Sequence, residues 1–305
     1  MYALGIDIGA SHIGLGIYDT ITKRLIKTKY IKYDRPFKIW NYLGVKRTTM
    51  KYIRFLKRNI DEFIGENKIE KIGVGCPGGV DCKNGIFFGS KALVVGKIDF
   101  RLEFEKYHCP VYVENDANCA AVGVVSGSEE NTFLMITIGT GVGFSLVKNE
   151  NSRIILAEDP VIWKILDANK VPGTKHDKYI SSFKRLSKKY NQQQHKKLPR
   201  EEIFCDIENG HQLIDDYIDN FVIGIKKINR VVPIKNICLG GSFSMYHKYY
   251  LEKVQKELPD FHIFISSSFN DAGIIGAALL PVLKDNSCRN KRVKKISDVP
   301  RLFAS

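Results

Sequence analysis

Two acidic residues and three glycine turns are the places where this chain could do chemistry. Asp7 lies near the end of the apolar run "YALGIDI", and Asp116 stands in "VENDANCAAVG", between a strand-like run and an Ala-rich stretch. A carboxylate at a helix start can cap free backbone N–H groups and is favoured there in its ionised form. The same ionised group, rigidly held, could also serve a reaction. The turns "DIGAS" (Asp7–Ser11), "IGTGVG" (Ile138–Gly143) and "LGGSFS" (Leu239–Ser244) each follow a strand-like run. Glycine there permits positive φ and lets backbone N–H groups approach an anion closely. Singly, each turn is more often a plain hairpin than a phosphate cradle. "GTGVG" is no dinucleotide fingerprint, because "FSLV" continues as a strand where a helix is required, and no GxxxxGK[ST] occurs. A buried, unpaired strand acid would be costly, which favours a functional reading of Asp7. For Ser11 a simple turn hydroxyl explains nearly as much, and Gly240 and Gly241 also fit a helix-entry turn.

The elements that must position these groups follow from periodicity. Tyr2, Leu4, Ile6 and Ile8 alternate, and "HIGLGIYD" returns after the turn, which predicts a β-hairpin; a third strand is expected over Arg24–Tyr33. Ile53, Leu56, Ile60, Phe63 and Ile64 recur at helical spacing and predict a long amphipathic helix from about Thr49. "IEKIGVGCPG" reads as a buried strand entering a Gly-Pro turn, and "PVYVEND" as a strand leading into a helix. "TFLMITIGTGVGFSLVKN" then repeats the pattern of "YALGIDIGASHIGLGIYD", which suggests two related α/β halves. Later come a helix in "GHQLIDDYIDNFVIGIKKINR", a strand in "IKNICLGGSFS", a helix carrying Tyr250, Val254 and Leu258, the strand "FHIFIS" and the closing helix "DAGIIGAALLPVL". The stretch Lys170–Glu202, rich in Lys, Gln and Ser, shows no persuasive core pattern and reads as a surface insertion.

With 305 residues the chain is long enough for about two domains, and 44% hydrophobic with 26% charged residues is an ordinary globular composition. The longest apolar stretch, Ala272–Leu283, is too short for a membrane span and contains Pro281. The first residues lack a basic n-region, so the expectation is a cytoplasmic protein with no membrane partner. Seven cysteines are dispersed without a CxxC pair, against both a disulfide framework and a structural zinc. The net charge is +14. Trp163–Cys205 holds eleven Lys/Arg against four Asp/Glu, and Lys284–Ser305 holds seven against two, so the charge is assigned to an insert and a tail. No zinc-finger, RRM or helix-turn-helix pattern accompanies it, and nucleic acid is not an expected partner.

Taken in order, these motifs resemble the ROK sugar kinases (bacterial glucokinase, N-acetylmannosamine kinase and relatives) within the actin/hexokinase ATPase superfamily. "GIDIGASHIGLGIYD" resembles the first phosphate motif, "GVGCPGGVD" (Gly73–Asp81) the sugar-side loop and "VENDANCAAVG" the signature around the catalytic aspartate. "ITIGTGVGFSLV" resembles the second phosphate hairpin, and "ICLGGSFS" with "NDAGIIGAAL" the nucleotide-side motifs. The resemblance implies a two-domain actin-like (ribonuclease H-like) α/β fold, with mixed five-stranded-type sheets flanked by helices and a cleft between domains. Residues 1–117 would form the first domain and 118–283 the second. The second would carry the basic insert at about 164–205, a helix at 271–283 could pack back on the first, and 284–305 would be a basic tail.

The implied reaction is transfer of the γ-phosphoryl of ATP, with Mg²⁺, to a hydroxyl of a hexose or N-acetylhexosamine. On this resemblance Asp116 is the general base, and Asp7 holds Mg²⁺ through water. Gly9, Ala10, Ser11, Gly139, Thr140 and Gly141 form the phosphate turns, and Gly240 and Gly241 lie on the nucleotide side. Gly78, Gly79, Asn115, Asp116 and Glu158 face the sugar. The chain departs from the family pattern where a His and clustered Cys should bind zinc; "RIILAEDPVIWKIL" stands there instead, so no structural zinc is expected. Glu158 can stand for the Glu of the family's Glu-x-x-His, but no His follows at that spacing, and only Asp99 lies near where a sugar-contacting Asn is expected. A non-catalytic sugar or nucleotide sensor on the same fold is the alternative. The first strand begins at Tyr2, which leaves no room for a DNA-binding domain ahead of it. Paired subunits go with the resemblance, although no residue displays an interface.

Overall fold

The computed structural model describes residues 1–33, 44–90, 93–126, 130–150, 153–157, 159–166, 178–206, 212–266, 268, 271–285 and 292–293. The chain divides into two compact units, Met1–Gly127 with Asp271–Arg289, and Ser128–Asn270 with Asn290–Ser305. In chain order the longer helices are α1 (Gly44–Ile64), α2 (Asp116–Val125), α3 (Phe183–Gln193), α4 (Gln212–Val231) and α5 (Asp271–Asp285).

In the first unit, β1 (Tyr2–Ile8), β2 (His12–Asp19) and β3 (Arg24–Lys32) form the expected antiparallel meander. The chain then adds β4 (Lys71–Cys76) parallel to β1. A separate three-stranded sheet of β5 (Val80–Asp81), β6 (Ile86–Phe87) and β7 (Ile98–Asp99) precedes β8 (Val111–Asn115), which lies parallel to β4. The main sheet therefore runs β3-β2-β1-β4-β8. Alternation gives it two unlike faces. Leu4, Ile6, Ile8, Ile13, Leu15, Ile17, Ile72 and Val74 form one, in a core shared with Tyr52, Leu56, Ile60 and Phe63 of α1. That helix stops at Gly65, whose φ of +55° is a left-handed position.

The opposite face is rich in glycine, and α5 lies on it. A Cβ at Gly5 would sit 2.1 Å from the Ile274 carbonyl oxygen, and one at Gly73 only 1.7 Å from that of Ala277. Between α2 and α5 the approach is equally close: a Cβ at Gly123 would sit 2.1 Å from the Ala272 oxygen, and one at Gly276 1.7 Å from the Cys119 oxygen. The glycines that dot these strands are thus places where helix backbone meets sheet backbone. Asp7 shares this face with Gly5, because the two are i, i+2 neighbours.

In the second unit β9 (Thr132–Ile138), β10 (Val142–Glu150) and β11 (Arg153–Ala157) form an antiparallel meander, and β12 (Asn236–Gly240) and β13 (His262–Ile265) follow in parallel. The order is β13-β12-β9-β10-β11-β14, with β14 the short Arg292–Val293 strand. Apart from β14 this is the topology of the first sheet, so the repeat read in the two hairpins extends to whole half-molecules. Leu213, Tyr217, Phe221, Ile225 and Ile228 line the buried side of α4.

Two expectations need correction. The basic insert is not a coreless surface loop: Tyr179, Ile180, Phe183, Leu186, Tyr190, Ile203 and Phe204 are all buried in the second unit's core. Phe183, Leu186 and Tyr190 have the i, i+3, i+7 spacing of a narrow helical stripe, which abundant Lys and Gln obscured. Nor is positive charge confined to insert and tail. β3 carries Arg24, Lys27, Lys29 and Lys32, and α1 carries Lys46, Arg47, Lys51, Arg54, Lys57 and Arg58 against only Asp61 and Glu62. Acidic residues elsewhere mask this in the net charge. Among the described residues no helix is long and apolar enough to cross a membrane.

Candidate functional site

Parallel strands deliver their carboxyl ends to one edge of a sheet, where α/β proteins hold ligands. In the first unit β1, β4 and β8 do this in register: Asp7 pairs with Gly75, Gly75 with Glu114, and Cys76 with Asn115. The "DIGAS" turn, the Pro77–Gly79 loop and the Asn115–Asp116 junction therefore share that edge. Burial pushes the Cys76 thiol well up, and Asp116, Cys82, Asp7 and Glu114 each add to the shift, so the three carboxylates converge on it.

Asp7 keeps some solvent access, but the protein around its carboxyl raises its pKa by desolvation to about 7. No hydrogen-bond donor reaches it among the described residues. Gly273, near the start of α5, makes its room: a Cβ there would stand 2.5 Å from Asp7 Oδ2. Tyr30 donates to Asp271 Oδ1, and burial, then Asp271, then Asp7 push the Tyr30 phenol upward. A desolvated carboxylate without a donor is a good ligand for a hard, oxygen-seeking cation such as Mg²⁺. Among the described residues no cluster of three or more His, Cys, Asp or Glu could hold a metal, and Mg²⁺ held mainly by phosphates and water needs none.

Asp116 is not the helix cap. Asn115, extended at φ −66° and ψ 143°, is the N-cap of α2 and accepts from the Ala117 and Asn118 N–H groups. Asp116 is the first helical residue; its Oδ1 accepts from Ala117 N–H at 2.9 Å. Asn115 Nδ2 also donates to the Gly78 carbonyl at 3.2 Å, tying the junction to the loop where Gly78 has φ +117°. Gly79, exposed beside it, accepts from Phe88 N–H at 3.0 Å. Asp99 spends Oδ1 capping the short helix Phe100–Glu103, a structural use.

Sequence reasoning passed over Glu114. It is 2% exposed, and its Oε1 accepts from the Asn115 N–H at 2.9 Å, Asn118 Nδ2 at 3.2 Å and Cys82 Sγ at 3.4 Å. A Glu inside the apolar strand "VYVEN" was the available signal, since a buried carboxylate must find donors.

The first phosphate-type turn closes through Gly9 N–H to the His12 carbonyl at 2.9 Å. The second, in the other unit, closes through Gly139 N–H to the Gly141 carbonyl, also at 2.9 Å. The N–H groups of Gly9 and Gly139 are therefore occupied. Those of Ala10, Ser11, Thr140 and Gly141, at the tips, have no backbone acceptor among the described residues. Ser11 Oγ lies 3.2 Å from His12 Nδ1. In the second unit Gly240 ends β12, and Gly241, at φ +77°, leaves just enough room for Ile138, whose carbonyl accepts from Phe243 N–H at 2.9 Å. The Gly240–Gly241 turn thus packs directly on the second hairpin. Glu158 lies outside the described residues.

A family model described as "ROK family" matches residues 3–154. The chain belongs to the ROK family. A glucokinase of Halalkalibacterium halodurans is 40% identical over 86 residues, 26% of this chain and 26% of that protein, so this match spans about a quarter of either. A beta-glucoside kinase of Listeria innocua is 25% identical over 237 residues, 70% of this ROK chain and 80% of that protein. Among solved structures, a ROK family glucokinase from Streptomyces griseus in complex with glucose and AMPPNP aligns with a TM-score of 0.72 at 16% identity, over 92% of this chain and 99% of that one. That likeness shows the two-domain actin-like α/β fold.

Proposed function

We propose that this ROK protein is an ATP-dependent sugar kinase that transfers the γ-phosphoryl group to a hydroxyl of a hexose, N-acetylhexosamine or simple glucoside. The observation that carries the reading is the convergence of the "DIGAS" turn, the Pro77–Gly79 loop and the Asn115–Asp116 junction at one sheet edge. The names of its relatives support the reaction class.

Phosphoryl transfer through a loose transition state asks for positioning and charge neutralisation rather than covalent chemistry. Asp116, whose Oδ1 accepts from Ala117 N–H, would take the proton of the attacking hydroxyl. Asn115 and the Gly78–Gly79 backbone orient the sugar. The tip N–H groups of Ala10, Ser11, Thr140 and Gly141 serve phosphate oxygens, and Gly240 and Gly241 the nucleoside side. Mg²⁺, held through water by Asp7, would neutralise charge on the phosphates.

Coupled ADP release over a panel of hexoses, N-acetylhexosamines and β-glucosides tests the proposal. At least one sugar should raise ADP release well above background, and Asp116→Asn should lower kcat by roughly 10²–10⁴-fold without changing the thermal midpoint. Silence across the panel would sink the kinase reading. Retained activity in Asp116→Asn would remove Asp116 from the role of base.

A further inference from the structure

The basic insert places one of its cations on the second phosphate-type turn. Arg200 Nη1 donates to Thr140 Oγ1 at 3.4 Å, and the guanidinium carbon lies 5.2 Å from the centre of the Phe183 ring. Phe183 is fully buried among Phe204, Phe243 and Tyr246, so the platform under the guanidinium is rigid. Glu201 Oε1 engages Nε at 3.3 Å and Nη2 at 3.1 Å. From the same insert, Lys184 N–H in the first turn of α3 donates to the Gly139 carbonyl at 3.3 Å. Two segments of the insert thus bind a three-residue turn that the bare hairpin would leave to itself.

A long hydrogen bond to a neutral hydroxyl is poor use of a stacked guanidinium. Of its five N–H donors, three are taken by Glu201 and Thr140, and among the described residues one on each terminal nitrogen has no acceptor. The side chain is only 24% exposed, so its charge is less screened than that of a surface lysine. Planar, stacked and always ionised, it has the properties that suit arginine to phosphate recognition. We propose that Arg200 is a phosphate-binding residue of the nucleotide site, adding a charged donor to the N–H groups of Thr140 and Gly141. The inference rests on the kinase reading for the identity of its ligand, and assigns the insert a purpose that its loop-like composition does not suggest.

Equilibrium binding of adenosine, AMP, MgADP and the Mg complex of a non-hydrolysable ATP analogue to the full chain tests this, with Arg200→Gln and Arg200→Lys. Loss of a charge-assisted hydrogen bond should weaken the triphosphate by roughly 10- to 100-fold in Arg200→Gln, with little change for adenosine. The effect should shrink from triphosphate to monophosphate, Arg200→Lys should recover part of it, and the KM for sugar should stay within about twofold. Two results would overturn the assignment: triphosphate affinity within twofold of wild type in Arg200→Gln, or an equal loss for adenosine, which would make Arg200 a brace for the turn. Nucleotide binding by a wild-type protein that phosphorylates no sugar would end the kinase reading and leave Arg200 standing. A wild-type protein that binds no nucleotide would end both.

Discussion

Asp7→Asn should make the protein more stable and less active, and the stability gain should depend on pH. Desolvation raises the Asp7 pKa from 3.8 to about 7, so the folded state holds its proton more tightly than the unfolded chain. Below pH 3.8 both states are protonated and no penalty exists. As pH rises towards 7 the unfolded chain releases its proton while the fold retains it, and stability falls; above 7 the whole penalty persists. The rise from 3.8 to about 7 corresponds to about 4 kcal/mol, and the partial exposure of Asp7 reduces this to about 2 kcal/mol. The neutral amide removes that penalty. Thermal unfolding followed by circular dichroism, without Mg²⁺ or nucleotide, should show Asp7→Asn on the order of 5 °C above wild type at pH 8. The gap should narrow to a degree or two at pH 5. A gain that is the same at both pH values would mean that ionisation is not its cause. A variant less stable than wild type at pH 8 would mean that Asp7 has a partner in the fold, and the argument for a waiting cation ligand would fail.

Two further substitutions test how the edge is built. Gly73→Ala would drive a Cβ into the Ala277 carbonyl at 1.7 Å, so α5 must lift from the sheet; a cost of about 3 kcal/mol or more should appear as a thermal midpoint several degrees lower, and an unchanged midpoint would contradict the close packing. Asn115→Ala removes the cap of α2 and the link to Gly78, and should cost about 1 kcal/mol while raising the KM for sugar, whereas Asn115→Asp should recover the stability. Equal stability of the Ala and Asp variants would show that the cap is unimportant.

Hairpins and glycine turns were legible because their signals are local. Alternation in "YALGIDI" and "TFLMITI" fixes which side chains share a face, and so sets Asp7 opposite Leu4 and Ile6. What the sequence could not show was what that face meets. Gly5 and Gly73 are only gaps in an apolar pattern until α5, some two hundred residues later than β4, is seen lying within contact of the sheet backbone. The cap at Asn115 was missed for a similar reason. "END" offers two capping side chains in succession, and only the backbone angles decide which residue is the last extended one.

The misreading of the insert has a further cause. A segment whose helix buries only the narrow stripe Phe183, Leu186 and Tyr190 is compositionally a surface loop, and its packing partners lie far from it in sequence. Arg200 gains significance from the ring beneath it and the turn beside it, both far from it in sequence. An aromatic cluster anchored on Phe183 holds the described part of the insert together. One charge of the insert is thereby brought, at Arg200, to the turn where a phosphate reader would use it.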